Sequence, residues 1–65
     1  MKIKQDKAKE IKTKYRLNYI AKEVGISKQF ISYLFNDKKT CSMDTATKLV
    51  NIVDPKASID EYFEN

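Results

Sequence analysis

Leu17 to Asn36 read LNYIAKEVGISKQFISYLFN, and this stretch decides the fold. Two short apolar-periodic segments meet at Gly25. In the first, from Asn18 to Val24, Asn18 is a good N-cap, and Ile20, Ala21 and Val24 fall on one helical face. Gly25 ends that segment because it takes the left-handed conformation at little cost. Ile26 follows as an apolar plug, and Ser27 caps a second helix running from Lys28 to about Asn36. That helix buries Ile31, Leu34 and Phe35. Lys28, Gln29, Ser32, Tyr33 and Asn36 lie on its open face, while Phe30 sits at the boundary, placed to pack on the core edge or to meet a ligand. Ala21 is small where the two helices cross, so their backbones can approach.

The flanking segments extend the same grammar. Lys2–Tyr15 is lysine-rich, with Ala8, Ile11 and Tyr15 at helical spacing. Asp6 is placed to cap this helix, Ile3 to extend it backwards, and a frayed basic arm is the alternative for residues 1–5. After a polar stretch, Asp37–Ser42, Ser42 caps a fourth helix, Met43–Val53, with Met43, Ala46, Leu49, Val50 and Val53 inside. Pro55 cannot continue that helix and pushes Asp54 out of α geometry. Ser58 with Glu61 makes a capping box for a short fifth helix striped by Ile59, Tyr62 and Phe63. The expectation is all-α: a small bundle of about five short helices, one domain over residues 1–65, with a helix-turn-helix at about 17–36.

Composition agrees. Sixty-five residues hold one core, and with one Cys and no His the chain has neither a disulfide nor a Cys/His metal site. One Gly and one Pro argue against a sandwich or barrel, which needs more turn punctuation. Residues 1–40 carry 11 basic and 4 acidic side chains, and residues 41–65 carry 2 and 5, so a net +7 part precedes a net −3 part. That asymmetry suggests a polyanion-binding surface on one side; the bland alternative is a solvated lysine-rich face. No apolar run approaches the ~18 residues of a membrane span and no signal peptide is visible. With an unpaired cysteine the expected compartment is cytoplasmic. The absence of His, of a Gly-rich phosphate loop and of a nucleophile with a base argues against an enzyme.

The second helix of the pair stands proud of the body, with a polar face free to enter a DNA major groove. Here the chain resembles the lambda-repressor-like helix-turn-helix family, which includes phage Cro and repressor proteins and the xenobiotic-response-element group. The similarity continues beyond the motif through Ile31, Ser32, Leu34, Asn36, Asp37, Lys38, Cys41 and Ser42, then Met43, Asp44, Thr45 and Ala46. It closes on Ser58-Ile-Asp-Glu-Tyr-Phe63 and so covers about residues 8–63. Three positions depart from the family pattern. Asp37 replaces the usual Gly after the recognition helix, and Asp tolerates the left-handed region. Cys41 replaces a Pro. Leu17 stands where a phosphate-touching Gln commonly opens the first motif helix, and the stretch before that helix is shorter than usual.

The resemblance implies a sequence-specific, double-stranded DNA-binding transcriptional regulator, a Cro-like repressor, phage-encoded or bacterial, with no cofactor and no small-molecule ligand. It places base readers at Ser27, Lys28, Gln29, Ser32 and Tyr33. The chemistry fits: Gln pairs with adenine through two bonds, Lys donates to guanine, and Ser bonds several edges. Ser27 is equally explained as a cap, and Tyr33 either meets a thymine methyl or covers the helix surface. Asn36, Lys38 and Lys39 are expected on phosphates beside the groove, with Arg16 and Asn18 at the backbone near the start of the preceding helix. The other lysines of residues 2–14 supply diffuse electrostatics, and Cys41 is a loop bystander. Ile59, Tyr62 and Phe63 are either core or the contact of a weak homodimer that reads a pseudo-palindromic operator, with recognition helices ~34 Å apart. Two other functions use the same features: a protein-interaction module such as an antirepressor or mobile-element partner, and an accessory excision or recombination protein.

Overall fold

In the computed structural model, which describes residues 1–64, the chain runs β1 (Lys2–Ile3), α1 (Gln5–Lys14), α2 (Leu17–Val24), α3 (Lys28–Phe35), α4 (Met43–Val53), α5 (Ile59–Tyr62) and β2 (Phe63–Glu64). The architecture is the expected small all-α bundle of five helices, with one addition. β1 and β2 pair antiparallel, Lys2 opposite Glu64 and Ile3 opposite Phe63. One core gathers Ile3, Ala8, Ile11, Ile20, Ala21, Val24, Ile31, Leu34, Phe35, Ala46, Leu49, Val50, Tyr62 and Phe63. Every described element thus contributes to the same apolar interior.

Local chemistry sets the α2–α3 geometry. Gly25 adopts φ 89° and ψ 31°, and the amides of Gly25 and Ile26 both donate to the Ala21 carbonyl, at 2.9 and 3.0 Å. The chain leaves α2 in a left-handed turn and re-enters a helix after Gly25–Ser27. Ser27 Oγ accepts from the Phe30 amide at 3.0 Å, satisfying one orphan donor of α3. At the other end, Asp37 takes φ 61°. The Asp37 amide donates to Leu34 O (3.2 Å) and the Lys38 amide to Tyr33 O (2.8 Å). These are the two bonds of a Schellman stop, with Asp in the place glycine usually fills. Ser42 caps α4 through the Thr45 amide at 3.2 Å, and α4 ends at Val53, ahead of Pro55.

Several sequence expectations need correction. Residues 1–5 are not a free arm, and Ile3 does not extend α1. Ile3 is 2% exposed inside the strand pair, the Lys4 amide donates to Tyr62 O at 2.8 Å, and Met1 and Cys41 exchange two bonds between amino or amide nitrogen and carbonyl oxygen. Cys41 is therefore half-buried structure, and burial pushes its thiol pKa up, with the amino-terminal charge pulling the other way. Lys4, not Asp6, stands at the cap of α1, and Tyr15 lies just past its end. Arg16, not Asn18, precedes α2, without a side-chain cap; Asn18 is inside the first turn. Met43 is 61% exposed, because the first position of α4 sits beside exposed Ser42 and Asp44 before the helix reaches the core. Val53 is half-buried. The Ser58–Glu61 box makes no side-chain bond: α5 is a single turn of four residues, closed by the Glu61 amide on Ser58 O at 3.1 Å.

Candidate nucleic-acid interface

Helix α3 is seated by one apolar face. Ile31, Leu34 and Phe35 are fully buried, so the roll of the helix about its axis is fixed. What faces outward is then determined: Lys28 and Gln29 are exposed, Ser32 and Tyr33 half-exposed, and Ser27 stands exposed at the amino end. Because Ser27 Oγ accepts from Phe30, its own proton remains free to donate outward.

Two neighbouring surface clefts run beside this face. The smaller, about 200 Å³, is lined by Ser27, Gln29, Phe30, Tyr33 and Lys39. Within it Gln29 Nε2 donates to the Tyr33 hydroxyl at 2.9 Å, and Lys39 Nζ lies 5.9 Å from the centre of the Tyr33 ring. The larger, about 530 Å³, is lined by Lys2, Phe30, Asp37, Lys38, Lys39 and Thr40. Phe30 and Lys39 belong to both, so the clefts form one groove with an aromatic wall in the middle. Three lysines overlook the wider end, and Lys2 Nζ is held 3.5 Å from Asp37 Oδ2.

The expected site residues divide into those the fold gathers and those it leaves apart. Ser27, Gln29, Tyr33, Lys38 and Lys39 converge on the groove. Lys28 and Ser32 lie on α3 but line neither cleft. Asn36 is occupied within the protein: its Nδ2 donates to Ser32 O at 2.9 Å and its Oδ1 accepts from Lys12 Nζ at 3.5 Å. Arg16 and Asn18 are exposed around the start of α2 and line neither cleft. Tyr62 and Phe63 take the core alternative rather than the dimer contact, at 6% and 2% exposure, while Ile59 is half-buried. Lys7 Nζ sits 5.1 Å from the centre of the Tyr62 ring, and burial, followed by the nearby Asp54 carboxylate, pushes the Tyr62 hydroxyl pKa up.

Sequence reasoning missed Thr40 and gave Lys2 and Lys12 only diffuse electrostatics, with an arm of residues 2–5 reaching DNA as the alternative for Lys2. Lys2 reaches the groove because strand pairing fixes β1, and a strand of two residues shows no alternation. Lys12 reaches the end of α3 only through the packing of α1. The linear charge split is also folded back on itself: Glu64, from the acidic part, stands opposite Lys2. Among the described residues no group of three or more His, Cys, Asp or Glu is placed to hold a metal ion, and no helix is long and apolar enough to cross a membrane. No protein-family model, curated protein or solved structure matches the chain.

Proposed function

We propose that the protein is a sequence-specific, double-stranded DNA-binding transcriptional regulator of Cro-like type, acting in the cytoplasm on the nucleoid and reading an operator half-site through α3. One observation carries this: the open face of a rigidly seated helix, with Gln29 and Tyr33, adjoins a groove overlooked by Lys2, Lys38 and Lys39. Polar side chains that distinguish bases thus stand next to Lys38 and Lys39, which hold phosphates, and to Lys2, which Asp37 pairs, and this is the division of labour such an interface needs.

The lysines draw the duplex in and release counterions, giving a steep salt dependence. Lys38 and Lys39, directed by the left-handed turn at Asp37, settle on phosphates beside the groove. Gln29 then offers a donor and an acceptor to an adenine edge, and Ser27 and Lys28 reach from the amino end of α3. Repression follows from occupancy, with no cofactor. One copy covers one half-site, so a weak symmetric dimer on a pseudo-palindrome completes the reading. With Tyr62 and Phe63 in the core, Ile59 is the member of the C-terminal trio with surface left for that contact.

The test is selection of bound duplexes from a random pool, followed by titration against salt. The expected result is a palindromic consensus bound with a steep salt slope. Gln29→Ala should relax preference at one base pair, whereas Lys38→Ala should weaken all duplexes alike. A pool that shows no enrichment after repeated rounds overturns the proposal. Tyr19 and Met43, the large apolar side chains left exposed among the described residues, favour a protein-interaction module as the second reading. Tight binding to a protein with no duplex binding at ~0.15 M salt would mark it.

A further inference from the structure

We propose that Tyr33 is the specificity-positioning residue of this interface: it holds the Gln29 amide ready to engage adenine, and Lys39 ties that unit to the phosphate backbone. The inference rests on α3 being the base reader. It arises from three separate observations: the 2.9 Å bond from Gln29 Nε2 to the Tyr33 hydroxyl, the Lys39 ammonium 5.9 Å from the Tyr33 ring centre, and the cleft that all three residues line.

An exposed glutamine rotates about three side-chain bonds and loses that freedom when it binds a base. Gln29 has already lost part of it. Its amide nitrogen carries two hydrogens; one is engaged by Tyr33, which leaves the other hydrogen and Oε1 to offer a base a donor and an acceptor. A donor–acceptor pair of this kind meets adenine N7 and N6. Because Tyr33 accepts this bond, its own hydroxyl proton stays available to donate. The tyrosine ring shares its cleft with the half-buried Phe30 and is approached by Lys39, which also lines the wider cleft with Lys38 and Lys2. A phosphate that draws Lys39 is therefore felt by the ring that orients Gln29, so seating on the backbone and reading of the base are mechanically linked.

The experiment compares the wild-type protein, Gln29→Ala, Tyr33→Phe and Lys39→Ala on two duplexes that differ only at the base pair Gln29→Ala identifies. Wild type should favour the A·T duplex roughly 5- to 150-fold. Tyr33→Phe keeps the ring and removes the hydroxyl. It should lower that ratio roughly 2- to 12-fold while leaving the salt slope unchanged. Lys39→Ala should reduce the salt slope by about 0.9 and also lower the ratio, since the link is mechanical. A second measurement reads the bond without DNA: the Gln29 side-chain amide signals in the nuclear magnetic resonance spectrum of the free protein should shift to ordinary values in Tyr33→Phe. If Gln29→Ala abolishes discrimination while Tyr33→Phe retains the wild-type ratio, the positioning role is overturned and DNA recognition stands. If Tyr33→Phe weakens both duplexes equally, Tyr33 is a plain contact and the inference fails. If wild type binds no duplex, the proposed function fails first and the inference with it.

Discussion

Asp37 occupies two roles that a single substitution separates. It terminates α3 in the left-handed region and its carboxylate neutralises Lys2 at 3.5 Å. Asn accepts the left-handed conformation as readily as Asp, so Asp37→Asn keeps the turn and removes the charge. The ion pair lost is a surface one, its side chains 45% and 40% exposed, so the stability cost is at most ~1 kcal/mol. The gain lies in the groove. Lys2 is freed beside Lys38 and Lys39, and a carboxylate that repels phosphate is gone. If Lys2 then takes one phosphate, the plot of log affinity against log salt steepens by about 0.9, and at ~0.15 M salt the affinity rises about fivefold. Fluorescence anisotropy on the selected duplex, from about 0.05 to 0.3 M salt, measures both quantities. Lys2→Ala completes the cycle: alone it should change little, because Lys2 is already paired, whereas in the Asp37→Asn background it should cancel the gain. An unchanged slope in Asp37→Asn, with helix content intact by circular dichroism, would refute the placement of Lys2 in the phosphate field.

Three further outcomes concern the scaffold. Phe63→Ala removes one of the largest fully buried side chains and should cost ~3–5 kcal/mol in urea denaturation, most of the stability available to a domain of this size; a loss below ~1 kcal/mol would show that the strand pair is not integral. Gly25→Ala should cost ~1–2 kcal/mol from backbone strain alone, because an added Cβ meets nothing within 4 Å; a much larger loss would mean an unseen clash. Tyr62 holds its proton more tightly in the fold than in the unfolded chain, so stability should fall as the pH rises above about 10. Tyr62→Phe should flatten that fall, and an identical alkaline profile in the variant would remove Tyr62 as its source.

Legibility in the sequence followed the range of the interaction. Gly25, Ser27, Ser42 and Pro55 act on backbone within a few residues, and each starts or stops a helix where the sequence indicates. Asp37 was readable for the same reason, as a residue tolerant of the left-handed turn. The interior faces of α2 and α3 were readable because 3.6-residue periodicity alone selects Ile20, Ala21, Val24, Ile31, Leu34 and Phe35. The pairing of Ile3 with Phe63 was not, since it depends on a partner from the far part of the chain, although Phe63 already read as core or dimer contact. Met43 misled because periodicity continues to the first residue of a helix, whereas the core does not. At the candidate site, residue types on the open face were legible, but the Gln29–Tyr33 and Lys12–Asn36 bonds depend on rotamers and packing.

The pairing of Ile3 with Phe63 also governs how the domain comes apart. Outer residues of small helical bundles commonly fray, and fraying invites amide exchange and proteolytic entry at little free-energy cost. Here the Lys4 amide is held on Tyr62 O at 2.8 Å, and the residues around it belong to the common core. Opening either strand exposes its partner and loosens β1, from which Lys2 reaches the wider cleft. The Lys4 amide should therefore exchange with solvent only when the whole domain opens, making one peripheral proton a reporter of global unfolding.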